Sequence, residues 1–173
     1  MKNSVAKIKQ KRSRLLYLLG VMALIIGLES TTMSEESKDQ SKNAAIPVRL
    51  DTDKVAGIGL SPGEPFIAPE DIIEGSHRPR GDMLFKGEQL VMEIFEDNAA
   101  SYKINDPFPV DEYVLVMSGK LVLTDSQGTV HEYTQGDSLV VPKGFTGIWK
   151  MEGNYRELIA IDRKSYDEIF GSE

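Results

Sequence analysis

SGKLVLTDSQGTVHEYTQGDSLVVPKGFTGIW, residues 118–149, is the stretch whose reading decides the fold. It holds no helical period. KLVLT (120–124), TVHEY (129–133) and SLVV (138–141) are short β-prone runs set off by turn residues. Asp125–Gly128 (DSQG) reads as a hairpin turn, with the glycine supplying positive φ. Gly136 reads as a further turn, followed by a strand buried on both faces from Leu139 to Val141. Pro142 and Gly144 then form a turn that cannot continue a hydrogen-bonded ladder. Gly119 reads as a tight turn between EYVLVM (112–117) and KLVLT.

The same signal extends outward. IPVRL (46–50), VAGIGL (55–60), QLVMEIF (89–95), ASYKI (100–104), TGIWKM (146–151) and RELIAI (156–161) are short apolar or alternating runs. Their spacing predicts an all-β sandwich or barrel rather than βαβ units. Residues 61–81, rich in proline and glycine, read as a long surface loop in which PEDII (69–73) makes one helical turn. DRKSYDEIF is expected to form a short C-terminal helix with Asp162 as N-cap. No internal repeat is present, so the pattern describes one domain.

The chain carries 20 basic and 27 acidic residues, net −7. Six of the basic residues (Lys2, Lys7, Lys9, Lys11, Arg12, Arg14) lie in the first thirty positions with a single acid, Glu29, so the body is strongly acidic. Such a body repels phosphate backbones, which argues against nucleic-acid binding. No cysteine is present, which removes disulfides, thiolate chemistry and a lipoprotein anchor. The basic run is followed by LLYLLGVMALIIGL (15–28), the order expected of an export signal or uncleaved anchor. Fourteen residues are short for a membrane span, and the cleavage site is poor. Residues 1–28 are thus expected to place the domain outside the cytoplasm. The alternative is a cytoplasmic protein starting at Met33. Residues 29–45 read as a flexible linker, 46–163 as the domain, and 164–173 as a tail or short helix.

Two segments carry a family resemblance. GDSLVVPKG (136–144) matches the cupin pattern G-x5-P-x-G, and EYVLVMSG (112–119) matches E-x6-G. The run Pro142–Trp149, PKGFTGIW, resembles the cupin family named after (S)-ureidoglycine aminohydrolase, which also takes in ethanolamine-utilisation cupins. The resemblance implies a single cupin jelly-roll barrel and covers about residues 111–162. It implies fold far better than reaction. A metallo-cupin sets three histidines and a glutamate inside the barrel. Here Glu112 holds the glutamate place, the first two histidine places fall on Asp106 and Phe108 (or Asn105 and Pro107), and the third falls on Gly147. No metal or other cofactor is therefore expected. His77 in SHRPRG and His131 in TVHEY lie outside the motif and read as ordinary surface or loop histidines.

Strand alternation predicts which side chains share the cavity: Tyr102, Ile104, Asp106 and Phe108 share one parity, as do Glu112, Val114 and Val116 after the break at Pro109, and Gly147 and Trp149 share a face on the later strand. Glu112 is the candidate acid/base, since a carboxyl in an apolar barrel has a raised pKa unless paired. It reads equally well as a structural carboxylate bonded by Tyr102, Tyr113 or Lys103. Tyr102, Asp106, Phe108 and Trp149 are the candidate ligand-binding residues, with core packing as the simpler role for Trp149. Three functions fit: a metal-independent cupin binding a small polar or amine-bearing metabolite, an aminohydrolase-like or isomerase-like enzyme using Glu112, and a dimeric scaffold. A homodimer is expected, formed through sheet faces and the early strands, as cupins commonly do.

Overall fold

A computed structural model of the chain describes residues 46–171. The expected export signal or anchor at 1–28 and the expected linker at 29–45 lie outside the described residues. Among the described residues no helix is long and apolar enough to cross a membrane.

The chain opens with one helical turn, α1 (Thr52–Val55), and continues through nine strands: β1 (Ser61–Pro62), β2 (Ile72–Gly75), β3 (Arg80–Lys86), β4 (Leu90–Asp97), β5 (Ala100–Ile104), β6 (Glu112–Asp125), β7 (Val130–Thr134), β8 (Ser138–Val141) and β9 (Gly147–Asp162). Helix α2 (Arg163–Phe170) closes it, N-capped by Asp162 through Ser165 N at 2.9 Å. This is an all-β jelly-roll barrel with a short C-terminal helix.

The architecture follows from two long strands. β6 and β9 pair antiparallel along their length, from Tyr113 opposite Ala160 to Asp125 opposite Gly147, with register shifts around Gly119. Their first halves and second halves belong to different faces. One face is β3–β4–β9–β6–β8, and the other is β2–β5–β9–β6–β7. Gly119 sits at φ 73°, where a Cβ would lie 2.7 Å from the Glu152 carbonyl oxygen. It is a bend inside one continuous strand, not the tight turn between two strands that the sequence suggested. TGIWKM and RELIAI likewise merge into β9.

The first two runs are not strands. Asp51 accepts from the backbone N–H groups of Asp53 and Lys54 and starts α1, so IPVRL ends in a cap instead of a ladder. Gly57 and Gly59, at φ 84° and 65°, then break the alternation of VAGIGL. At Gly57 a Cβ would overlap the Arg156 guanidinium, so the chain lies tight against the sheet there. The expected loop at 61–81 holds β1, a 3-10 turn at Pro69–Asp71, β2 and the start of β3. Strand β8 alternates: Leu139 and Val141 are buried while Val140 is 58% exposed, so only one face is covered.

The barrel interior holds the main core, which includes Val91, Val114, Val116, Leu121, Met151 and Ile161. Tyr166 on α2 joins it, so the helix is packed on the barrel. A second, smaller cluster of Leu60, Ile94 and Leu158 lies on the outer side of β4 and β9.

Candidate functional site

Register alone places the unusual residues. On the inner side of the first face, Val91, Glu93 and Phe95 of β4 stand opposite Ile161, Ile159 and Glu157 of β9. Ile159 and Glu157 in turn stand opposite Val114 and Val116 of β6, and Glu112 is two residues before Val114. Three glutamates therefore occupy positions that period-2 alternation reserves for apolar side chains. They are 3%, 1% and 3% exposed at Glu93, Glu112 and Glu157. The second face answers with Tyr102 opposite Trp149, and Trp149 opposite Leu123.

A cavity lies between these faces. Its wall includes Glu93, Glu112 and Glu157 on one side, Tyr102 and Trp149 on the other, and Phe66 and Phe108 from loops. It is small, about 20 Å³, room for roughly one water. Phe108 is fixed by backbone bonds to the Pro-Gly turn: its N–H donates to Phe145 O at 2.9 Å, and its carbonyl accepts from Gly144 N at 2.7 Å. Its ring stacks on Trp149, centroids 6.1 Å apart and planes 9° apart.

Four of the five residues picked from the sequence, Tyr102, Phe108, Glu112 and Trp149, thus share one cavity wall. Asp106 does not. It is half-buried and outside the lining, because the chain leaves β5 after Ile104 and the alternation that linked Asp106 to Tyr102 ends there. Alternation did not reveal Glu93 and Glu157 to a motif-led reading. The available signal was an acid on the apolar parity of VMEIF and of ELIAI.

Burial sets the electrostatics. Desolvation pushes Glu93 up to about 8, with the Tyr166 hydroxyl, donating to Oε1 at 3.2 Å, pulling the other way. Desolvation likewise pushes Glu157 up to about 7 against the Tyr155 hydroxyl, which donates to Oε2. Glu112 is raised well above the carboxylate range by burial first, then by Glu157 and Glu93. Its proton is therefore held more tightly than that of an exposed glutamate. Burial also keeps the Tyr102 and Tyr155 hydroxyls protonated. Glu112 Oε2 and Trp149 Nε1 are buried without hydrogen-bond partners. The structural role considered for Glu112 finds no support at that atom. Tyr113 is 40% exposed, and the Tyr102 hydroxyl contacts only Met151 Sδ, at 4.0 Å.

The residues do not fit the metal that the fold implies. At the places of its imidazoles stand Asp106, Phe108 and Gly147. Phe108 is committed to Trp149, and a Cβ at Gly147 would lie 2.0 Å from the Thr124 carbonyl oxygen, so no side chain projects from that position without moving backbone. Among the described residues no group of three or more His, Cys, Asp or Glu is arranged to hold a metal ion. The histidines differ from each other. His131 is partly exposed, 3.1 Å from Asp125, as expected. His77 is 5% exposed, against the reading of a surface histidine, because Asp97 and two aromatic rings enclose it.

Residues 86–166 match the family model of the EutQ-like cupin domain. Among solved structures, a Pseudomonas syringae pv. tomato protein of unknown function from the DUF861 family is 23% identical. Their alignment covers 59% of this chain and 43% of that one, with a TM-score of 0.53, so this chain spans under half of its length. A putative ethanolamine utilization protein Q from Salmonella typhimurium is 19% identical over 50% of this chain and 71% of that one, TM-score 0.44. The polyketide cyclase RemF from Streptomyces resistomycificus is 16% identical over 61% and 75%, TM-score 0.44. No curated protein matches the chain. The matched segment coincides with the barrel strands β4 to β9, and this match supports a cupin superfamily assignment for residues 86–166.

Proposed function

We propose that this cupin binds a small polar molecule in the barrel without a metal. The observation that carries the reading is the pair of orphaned buried atoms, Glu112 Oε2 and Trp149 Nε1, on residues that line one cavity from opposite sides. A buried polar atom left unpaired costs about 1–3 kcal/mol, and a ligand that bonds both atoms recovers that cost. Trp149 is an obligate donor and Glu112 is a second donor whenever it carries its proton, so the pair suits an acceptor such as a carbonyl or amide oxygen. An ammonium group needs an ionised partner, which the site supplies only as pH rises past about 7 at Glu157 and about 8 at Glu93. The cavity holds about one water as it stands, so a larger guest requires Phe66, half-buried on a loop, to move.

Trp149 is the only tryptophan, so its emission reports this site alone. Acetamide is expected to shift that emission at pH 6, and methylammonium only above about pH 8. Glu112→Leu should abolish the acetamide response, while Glu112→Gln, which keeps a donor, should retain it. A response to acetamide unchanged by Glu112→Leu would place the ligand elsewhere. Elemental analysis is expected to find no stoichiometric Mn, Fe, Ni or Zn. The basic and apolar run at 1–28 leads us to propose in addition that the domain works outside the cytoplasm. A C-terminal reporter fused to the full chain should then be found there, and a cytosolic reporter refutes the placement.

A further inference from the structure

A second buried polar centre adjoins the cavity. His77 and Asp97 have side chains 1% and 0% exposed, and His77 Nδ1 is 2.5 Å from Asp97 Oδ2. The other Asp97 oxygen accepts from Arg78 N at 2.9 Å and Asn98 N at 2.7 Å. Asp97 is thereby held in place by three donors, and it assigns the imidazole proton to Nδ1, leaving the lone pair on Nε2. Nε2 is itself buried with no partner. The ring lies edge-on to Phe66, centroids 4.2 Å apart, and 5.7 Å from the Tyr102 ring. Phe66 and Tyr102 both line the barrel cavity. Tyr102 is fixed in β5 opposite Trp149, whereas Phe66 sits on the connection between β1 and the 3-10 turn. Phe66 is therefore the wall that can turn aside, and doing so opens His77 to the cavity.

We propose that His77, oriented by Asp97, is the general base of the barrel cavity and takes a proton from a small carbonyl compound bound there. The inference rests on the reading that the cavity binds a small polar molecule. Trp149 N–H and the Glu112 carboxyl donate to the carbonyl oxygen. Nε2 removes a proton from the neighbouring carbon. The C–H electron pair becomes the new C=C bond, and the carbonyl π pair moves to the oxygen, where the two donors meet the developing charge. Asp97 balances the imidazolium, as the aspartate does in a serine-protease triad. Return of the proton to the same carbon, or its delivery to a neighbouring one, restores His77. No oxidant, metal or cofactor is consumed. Base and acid are separate groups, the arrangement that proton-transfer sites use.

The test uses the full chain with hydroxyacetone in D2O, following loss of its α-protons by NMR. Exchange is expected at least ten-fold above buffer. His77→Gln should return it to the buffer rate while the Trp149 emission response to hydroxyacetone survives. A wild-type rate equal to buffer with the Trp149 response present overturns His77 as base and leaves the binding site standing. The same holds if His77→Gln exchanges as fast as wild type. A silent Trp149 overturns the binding reading and this one with it. Diethyl pyrocarbonate labelling gives a check that needs no ligand, because the chain has two histidines and exposed His131 is the internal reference. Phe66→Ala, or Phe66→Leu where the alanine variant unfolds, should raise His77 labelling at least ten-fold relative to His131. His77 as protected as in wild type overturns the proposed access.

Discussion

The inner and outer sides of β4, β9 and β6 are reversed relative to what a barrel in water leads one to expect. The inner side carries Glu93, Glu157 and Glu112 among Val91, Phe95, Ile159, Ile161, Val114 and Val116. The outer side carries Met92 and Ile94, Leu158 and Ala160, and Tyr113, Leu115 and Met117. A buried carboxyl unpaired by a cation costs several kcal/mol if charged, and the outer row, though Ile94 and Leu158 are covered, leaves the apolar Leu90, Tyr113 and Val140 open to solvent. Both sides therefore sacrifice something that folding alone would not require. The difference between the two sides is the ground for proposing different occupants: a proton or polar guest inside, an apolar cover outside.

The largest effect expected tests the inside. Glu93 and Glu157 are harder to ionise folded than unfolded, where a glutamate titrates near 4.5. The folded state keeps protons that the unfolded chain has already released. This contribution is complete below about pH 4.5 and is lost as pH rises through about 7 at Glu157 and about 8 at Glu93. Stability should fall by on the order of several kcal/mol between pH 5 and 8.5, visible as a drop in Tm of about 10 °C or more. Glu93→Gln should flatten the curve and melt above wild type at pH 8.5. A flat wild-type profile would mean that these carboxyls are not enclosed in solution.

A smaller effect tests whether the lost histidine place left room. Gly147 is at φ 152°, and a Cβ there meets the Thr124 carbonyl oxygen at 2.0 Å. The glycine at the third histidine place therefore leaves no imidazole-sized space. The glycine lets two strands approach, not a ligand. Gly147→Ala should cost about 2–4 kcal/mol through strain and overpacking, measured by urea unfolding. A cost under about 1 kcal/mol would show that the strands separate easily there, and would return the position to the cavity.

How far the sequence was legible follows from the same geometry. β5, β7 and β8, and the two cupin motifs, are encoded locally by alternation and turn residues, so the barrel could be read from residues 100–149. What alternation cannot say is whether a glycine ends a strand or bends it. Gly119 bends β6 because Tyr155 and Glu152 on a strand thirty residues away come too close for a Cβ, and no local rule sees that. The site was half legible. Tyr102, Phe108, Glu112 and Trp149 follow from motif position and strand alternation, but His77 comes to lie behind the cavity residue Phe66, bonded to Asp97, through contacts between segments far apart in sequence. Strand β3 escaped because its Arg80, Asp82 and Lys86 hide the apolar parity, with Asp82 tied to Ser61 at 2.8 Å and to Lys54 at 2.8 Å.

The smallest effect on the isolated chain tests the outside, and it distinguishes a cover from mere exposure. Val140, Tyr113, Ala160 and Met92 form one row across four strands, and Leu115, Leu158 and Ile94 the next. Leu90, Tyr113 and Val140 stand 40%, 40% and 58% exposed on this side. Leu50 already packs on it, and the chain before Leu50 continues with Ile46 and Val48, 76% and 62% exposed, unpaired in any strand. One apolar face with one apolar extension running off it suits a second copy of the chain, since a two-fold axis lets each extension lie on the other's face. Light scattering on the full chain is expected to give a homodimer. Tyr113→Lys with Val140→Lys should dissociate it, because two buried unpaired ammonium groups on each side of the interface outweigh the apolar area gained. In the separated chain both positions face water, so the same pair should change stability by no more than about 0.5 kcal/mol. A wild-type monomer at every concentration, or a dimer indifferent to both lysines, would leave the outer face without its cover and break the symmetry drawn between the two sides.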